Sequence, residues 1–103
     1  MLYLFQRMTQ KLATVGLSAT AFPTPATTDE VPNPEAIYVQ SPSTNTGKIY
    51  VGAAPTANLS TPSFEILPGG DAMIPYVKDE NLKHVSDVAA QKLMVTYLAD
   101  RNF

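Results

Sequence analysis

His84 is the only histidine in the chain, so a Ser-His-Asp relay or a histidine-rich metal site would have to recruit partners that no spacing marks. It lies inside Leu82 to Ser86, a run that reads as a strand, and a histidine on the strand surface is the expectation. Asp79-Glu80-Asn81 collects three oxygen-bearing side chains but lacks the alternating ligands of a calcium loop, which predicts a solvated turn. Glu35, Glu65, Asp71 and Asp79 fall on different predicted segments, with nothing to mark a pair for glycoside chemistry. Pro68-Gly69-Gly70 is followed by neither Gly-Lys-Ser/Thr nor a helix, so it reads as a turn and not as a phosphate cradle. Asn58-Leu59-Ser60 fits the glycosylation pattern, which matters only in a secretory setting. The absence of cysteine removes disulfides, thiolate metal sites and cysteine nucleophiles together. These residues predict no catalytic set, no cofactor and no metal: a non-enzyme that works through its surfaces.

Two groups of apolar and aromatic residues are the candidate interface. Tyr38, Tyr50 and Tyr76 stand opposite the apolar positions of their own predicted strands, where amphipathic rings suit a contact with another protein. Leu2, Tyr3, Leu4, Phe5 and Met8 crowd the start of the chain with more apolar surface than a free terminus usually exposes. A small core and outward tyrosines predict self-association, as a homotrimer or another homo-oligomer. The seven basic residues are scattered along a chain of net charge −2, which argues against nucleic acid and against an anionic membrane surface. Lys11 to Ala21 has a faint look of a signal peptide, but its apolar stretch is too short and too polar. No run approaches the roughly 18 apolar residues of a membrane span.

These residues must be positioned by one domain, since 103 residues supply a single modest core. Nine prolines confine the longest uninterrupted stretches to the two ends, and long helices have no room in the middle. Between the prolines lie short runs rich in Val, Ile, Tyr, Phe and Thr. Thr14 to Phe22 alternates with Val15, Leu17, Ala19 and Ala21 on one face, which predicts a half-buried strand. Ala36 to Ser41 and Lys48 to Gly52 repeat the pattern around Ser43-Thr44-Asn45-Thr46-Gly47, predicting a hairpin in which Gly47 is free to take positive φ. Phe64 to Leu67 and Asp71 to Val77 predict another hairpin across Pro68-Gly69-Gly70. Leu82 to Ser86 and Gln91 to Ala99 complete the set, the last apolar on both faces and so placed inside a sheet.

The predicted organisation is a single all-β domain, a small β-sandwich or jelly-roll-like barrel with an extended N-terminal arm. Residues 1–22 form the arm and first strands, 23–35 a proline-rich connector, and 36–103 the sandwich body. Leu2 to Leu12 fits a helix (Leu2, Phe5, Met8, Leu12) about as well as a strand (Leu2, Leu4, Gln6, Met8), and is read as an extended arm or strand able to reach a neighbouring chain through that connector.

Ile37 to Gln40 ("IYVQ"), Thr46 to Gly52 ("TGKIYVG"), the Leu67-Pro68-Gly69-Gly70 turn, and Leu82 to Ser86 leading into a final strand together resemble a family of small β-sandwich virion proteins of tailed bacteriophages. The resemblance runs from Ala36 to Leu98. It implies a non-enzymatic structural protein, most simply a capsid decoration or cement protein on the capsid surface, docked on the major capsid protein and stabilising its lattice. It carries over no catalytic residue. A receptor- or carbohydrate-binding fibre or tail module, with exposed tyrosines stacking on sugars, and a minor head-tail connector protein are the alternatives.

Overall fold

Short β-branched runs separated by prolines and turns give eight strands in the computed structural model, which describes residues 5–23, 25, 28–31, 33–56, 63–75 and 82–100. They are β1 (Phe5–Val15), β2 (Thr20–Ala21), β3 (Ala36–Gln40), β4 (Ile49–Gly52), β5 (Phe64–Ile66), β6 (Asp71–Pro75), β7 (Lys83–Ser86) and β8 (Gln91–Asp100). One sheet has the order β1-β8-β3-β6 and the other β2-β7-β4-β5. Every pairing is antiparallel. The chain is therefore all-β, a small sandwich of two four-stranded sheets, and no helix occurs among the described residues.

Alternation along each strand builds the core between the sheets. Val15, Ile37, Val39, Leu93, Val95 and Tyr97 of the first sheet meet Ile49, Val51 and Ile66 of the second, with Phe22 and Val31 added from connecting segments. Each such aliphatic side chain stabilises the fold by about 1.5–3 kcal/mol on full burial. β8 lies between β1 and β3, and Leu93, Val95 and Tyr97 on one face and Thr96 and Leu98 on the other are buried. Its two apolar faces had this position as their consequence.

Three local expectations are corrected. Thr14 to Phe22 is not one strand: β1 ends at Val15, Leu17 is 63% exposed, and the chain joins the second sheet at Thr20, opposite His84. The crossing is held by the Ser86 amide, which donates to the Gly16 carbonyl at 2.8 Å. An alternating run looks the same whether it stays in one sheet or changes sheets. Neither predicted hairpin is a hairpin, because β3 and β6 belong to the first sheet while β4 and β5 belong to the second. Both turns are arches over the edge of the core; turn chemistry reverses the chain without choosing the sheet that the next strand joins.

In the second arch Gly69 has φ +83° and the Gly70 amide donates to the Leu67 carbonyl at 2.7 Å, a turn with proline first and the left-handed residue second. Gly47 is needed for a different reason from the positive φ expected of it. A Cβ there would come within 2.6 Å of Asp87 and 2.7 Å of Val88, so the loop approaches its neighbour too closely for any side chain.

The apolar start of the chain finds its partner within the same molecule. β1 pairs with β8 from Phe5 opposite Asp100 to Val15 opposite Gln91, with one irregularity between Phe5 and Arg7. The residues read as an arm for a neighbour thus form, from Phe5 onward, an edge strand of the sandwich; Leu2, Tyr3 and Leu4 lie outside the described residues. The connector is also tied down. The Val31 amide donates to Thr9 Oγ1 at 3.0 Å, Lys11 Nζ lies 3.0 Å from Asp29 Oδ2, and the Glu35 amide donates to the Leu98 carbonyl at 2.8 Å. The Tyr97 hydroxyl donates to the Pro23 carbonyl.

Candidate docking surfaces

One end of the sandwich collects the loops after β1, β3, β5 and β7, because those strands all finish where β4, β6 and β8 begin. Side chains bind the loops after β3 and β7 to each other, and the Gly69 amide donates to the Ser41 carbonyl at 2.8 Å to join the loop after β5 to them. The Asn45 amide nitrogen donates to Ser41 Oγ at 2.8 Å and to the Lys92 carbonyl at 2.7 Å, and its oxygen accepts from the Lys92 amide at 3.0 Å. Gln91, buried, accepts the Thr46 and Gly47 amides on Oε1, both at 2.8 Å, and donates from Nε2 to the Ala89 carbonyl. Asp87 Oδ1 accepts the Lys48 amide at 2.8 Å. Buried backbone groups that would otherwise be unsatisfied are paired in this way, and the loop conformations are set before any partner arrives. The rigid rim exposes Leu17, Leu67 and Val88. Sequence reading singled out Asn45 to Gly47 as a turn but missed Gln91 and Asp87, whose partners lie about forty residues away.

The second surface is the outward face of the first sheet. Strand register sets three rows across it: Met8, Leu98, Ala36 and Pro75; then Gln10, Thr96, Tyr38 and Met73; then Leu12, Met94, Gln40 and Asp71. Met8, Leu12 and Met73 are 52–59% exposed, Met94 and Tyr38 partly so. Gln10 Nε2 donates to Thr96 Oγ1 at 3.2 Å, and the Tyr38 hydroxyl donates to Asp71 Oδ2 at 2.5 Å. That hydrogen bond, followed by burial, raises the Tyr38 pKa above 10.0. Beside the third row a shallow groove of about 480 Å³ runs between Gln10, Gln40, Asp71 and Met94 and the loop at Ser41 to Ser43.

The opposite outward face differs. Tyr50 and Val85 are cross-strand neighbours pointing away from the core, yet both are buried. The expectation that Tyr50 is an available interface ring is overturned: its phenol is enclosed on the central strand β4 beside Glu65. Burial, then the negative charges of Glu65 and Asp87, push its pKa up from 10.0. Of the other candidates, Met8 and Tyr38 lie on the open face, Phe5 opens β1 opposite Asp100, and Tyr76 lies outside the described residues.

His84 is likewise not a surface residue. Opposite Val51 on the inward face of β7 it is 2% exposed, its ring centroid 5.2 Å from that of Phe22. Its Nδ1 is buried with no hydrogen-bond partner among the described residues, and burial lowers the pKa from 6.5. Of the candidate carboxylates, Glu65 lies 3.5 Å from Lys48 and Asp71 is engaged by Tyr38. No group of three acidic or imidazole side chains able to hold a metal occurs among the described residues. Asp79 to Asn81 and Asn58 to Ser60 lie outside them. Comparison with protein-family models, curated proteins and solved structures finds no match.

Proposed function

We propose that this protein is a non-enzymatic component of a larger assembly, and specifically a bacteriophage capsid decoration protein that docks on the major capsid lattice and stabilises it. The sequence resemblance supplies the setting. The observation that supports docking is the rigid loop end, where Asn45, Gln91 and Asp87 lock the loops after β3 and β7 together, and backbone bonds from Gly69 to Ser41 and from Ser86 to Gly16 tie in the loops after β5 and β1, around exposed Leu17, Leu67 and Val88. A preorganised apolar rim loses little conformational entropy on binding, which suits repeated attachment to identical lattice sites. Each copy would add buried interface between capsid subunits and so raise the barrier to their separation.

The competing reading as a glycan-binding tail module asked for several exposed tyrosines. Tyr50 is buried and Tyr38 is engaged with Asp71, which leaves that reading with weaker support. Quantification of the protein in purified particles and co-sedimentation with particles stripped of it provide the test. Many copies per capsid are expected, with binding lost in Leu17→Asp and Val88→Asp variants that remain folded by circular dichroism. A handful of copies per particle, or undiminished binding by both variants, would overturn the proposal.

A further inference from the structure

The open face of the first sheet carries a pattern with its own symmetry. On β1 the outward residues read Met8, Gln10, Leu12, and on β8 beside them Leu98, Thr96, Met94. Both read apolar, polar, apolar about the row that contains Gln10 and Thr96. Rotating a second copy by 180° about an axis along that row sets Met8 over the partner's Leu12 and Leu98 over the partner's Met94. Gln10, Tyr38 and Met73 then each face the same residue of the other copy. On β1 and β8 apolar meets apolar and the Gln10 amides, which both donate and accept, meet each other, whereas on β3 and β6 Ala36 comes over Gln40 and Pro75 over Asp71, so the self-complementary part of the face is its β1–β8 half. A surface that complements itself in this way is what a two-fold, isologous contact requires.

We infer that this face binds a second copy of the chain, forming a two-fold dimer by face-to-face packing of the first sheets. The composition of the face suits it. Three of the chain's four methionines stand there, and an unbranched thioether adapts to a mating surface. The only charged residues of the three rows is Asp71, at a corner, so no like charges are forced together at the centre. Ala36, Thr96 and Leu98 are already buried within the copy, so the contact rests on Met8, Leu12, Met73 and Met94 and buries less than the roughly 1,000 Å² of a stable specific interface. The dimer is accordingly one of micromolar affinity or weaker.

Lateral growth of the sheet is the other route to a dimer, and the structure disfavours it. β1 is the long edge, but Lys11 points to the inward side there and is held by Asp29, while Thr9 is held by Val31. An inward-facing charge and a covering segment are the devices that blunt an edge strand. The proposal stands apart from capsid docking, which uses the loop end.

Sedimentation velocity on the full chain from micromolar to millimolar concentration reads the dimer directly. Because the chain has no cysteine, Gln10→Cys supplies a single thiol beside the proposed axis, and Phe64→Cys, on the second sheet, a matched exposed control. We expect a concentration-dependent dimer, weakened at least about tenfold by Leu12→Lys and by Met73→Lys. Oxidation should cross-link Gln10→Cys far faster than Phe64→Cys. A monomer throughout the range, an oligomer indifferent to both lysine variants, or equal cross-linking of the two thiols would each overturn the dimer. Failure of the unaltered chain to bind particles, with the dimer intact, would instead count against capsid docking alone.

Discussion

Tyr50 and Val85 on the second sheet and Met8, Leu12 and Met73 on the first all point away from the core shared by the two sheets, yet the first pair is buried and the other three are about half exposed. Strand alternation treats them identically. The difference teaches that alternation distinguishes inward from outward and does not distinguish outward and covered from outward and wet. An apolar residue of the first kind contributes to stability; one of the second kind is available to a partner.

The largest test of that contrast is a pair of substitutions to aspartate. Val85→Asp should cost about 3–5 kcal/mol, because an unpaired charge would be enclosed. Leu12→Asp should change stability by no more than about 0.5 kcal/mol, as exposed substitutions do. Urea unfolding of both variants measures the difference, and equal costs would erase the distinction between the faces.

A pH titration of stability sharpens the picture of the interior. His84 has its folded pKa lowered by burial, so below 6.5 the unfolded chain binds the proton that the folded chain refuses. Stability should be fully present above that value and fall as pH drops from 7 towards 5. His84→Gln should remove this part of the slope between pH 5 and 7, whatever its effect on absolute stability. Thermal melts of both proteins across that range check it; parallel slopes would show that His84 is protonated without penalty.

The smallest effect is expected at Tyr38. Tyr38→Phe deletes the hydrogen bond to Asp71 at a partly exposed position and should cost at most about 1 kcal/mol. It should also bring the phenolic titration of the protein closer to 10.0, since the pKa of Tyr38 is raised chiefly by that bond. Spectrophotometric titration near pH 10 separates it from the remaining tyrosines.

Much of the sandwich was legible from residue order. Proline spacing excluded long helices, alternation at Ile37/Val39 and Ile49/Val51 marked inward positions, and the doubly apolar Gln91 to Ala99 announced an interior strand. Pro68-Gly69-Gly70 announced a chain reversal, though not the sheet that the next strand joins. The candidate surfaces were less legible. Met8 and Tyr38 were identified from their positions, but Leu12 and Met73 join them only through the register of β1, β8, β3 and β6. The bonds that lock the loop end join Asn45 to Lys92 and Gly47 to Gln91, residues far apart in the chain.

The division has a physical cause. Backbone torsions, proline's missing amide and the two-residue period of a strand are local properties, so sequence alone determined the all-β class, the position of most strands and the turn at Pro68-Gly69-Gly70, while the structure put the left-handed residue at Gly69. Burial and pairing depend on what arrives from elsewhere in the chain. Only the tertiary structure therefore decided that β3 and β4 belong to different sheets, that β1 is an edge strand, and that Gly47 must lack a side chain to pass Asp87 and Val88. It also decided that His84 and Tyr50 are enclosed while the methionine-lined face stays open. Identical local patterns acquired opposite environments because long-range packing, to which no local signal refers, covers Tyr50 and Val85 and leaves Met8, Leu12 and Met73 exposed.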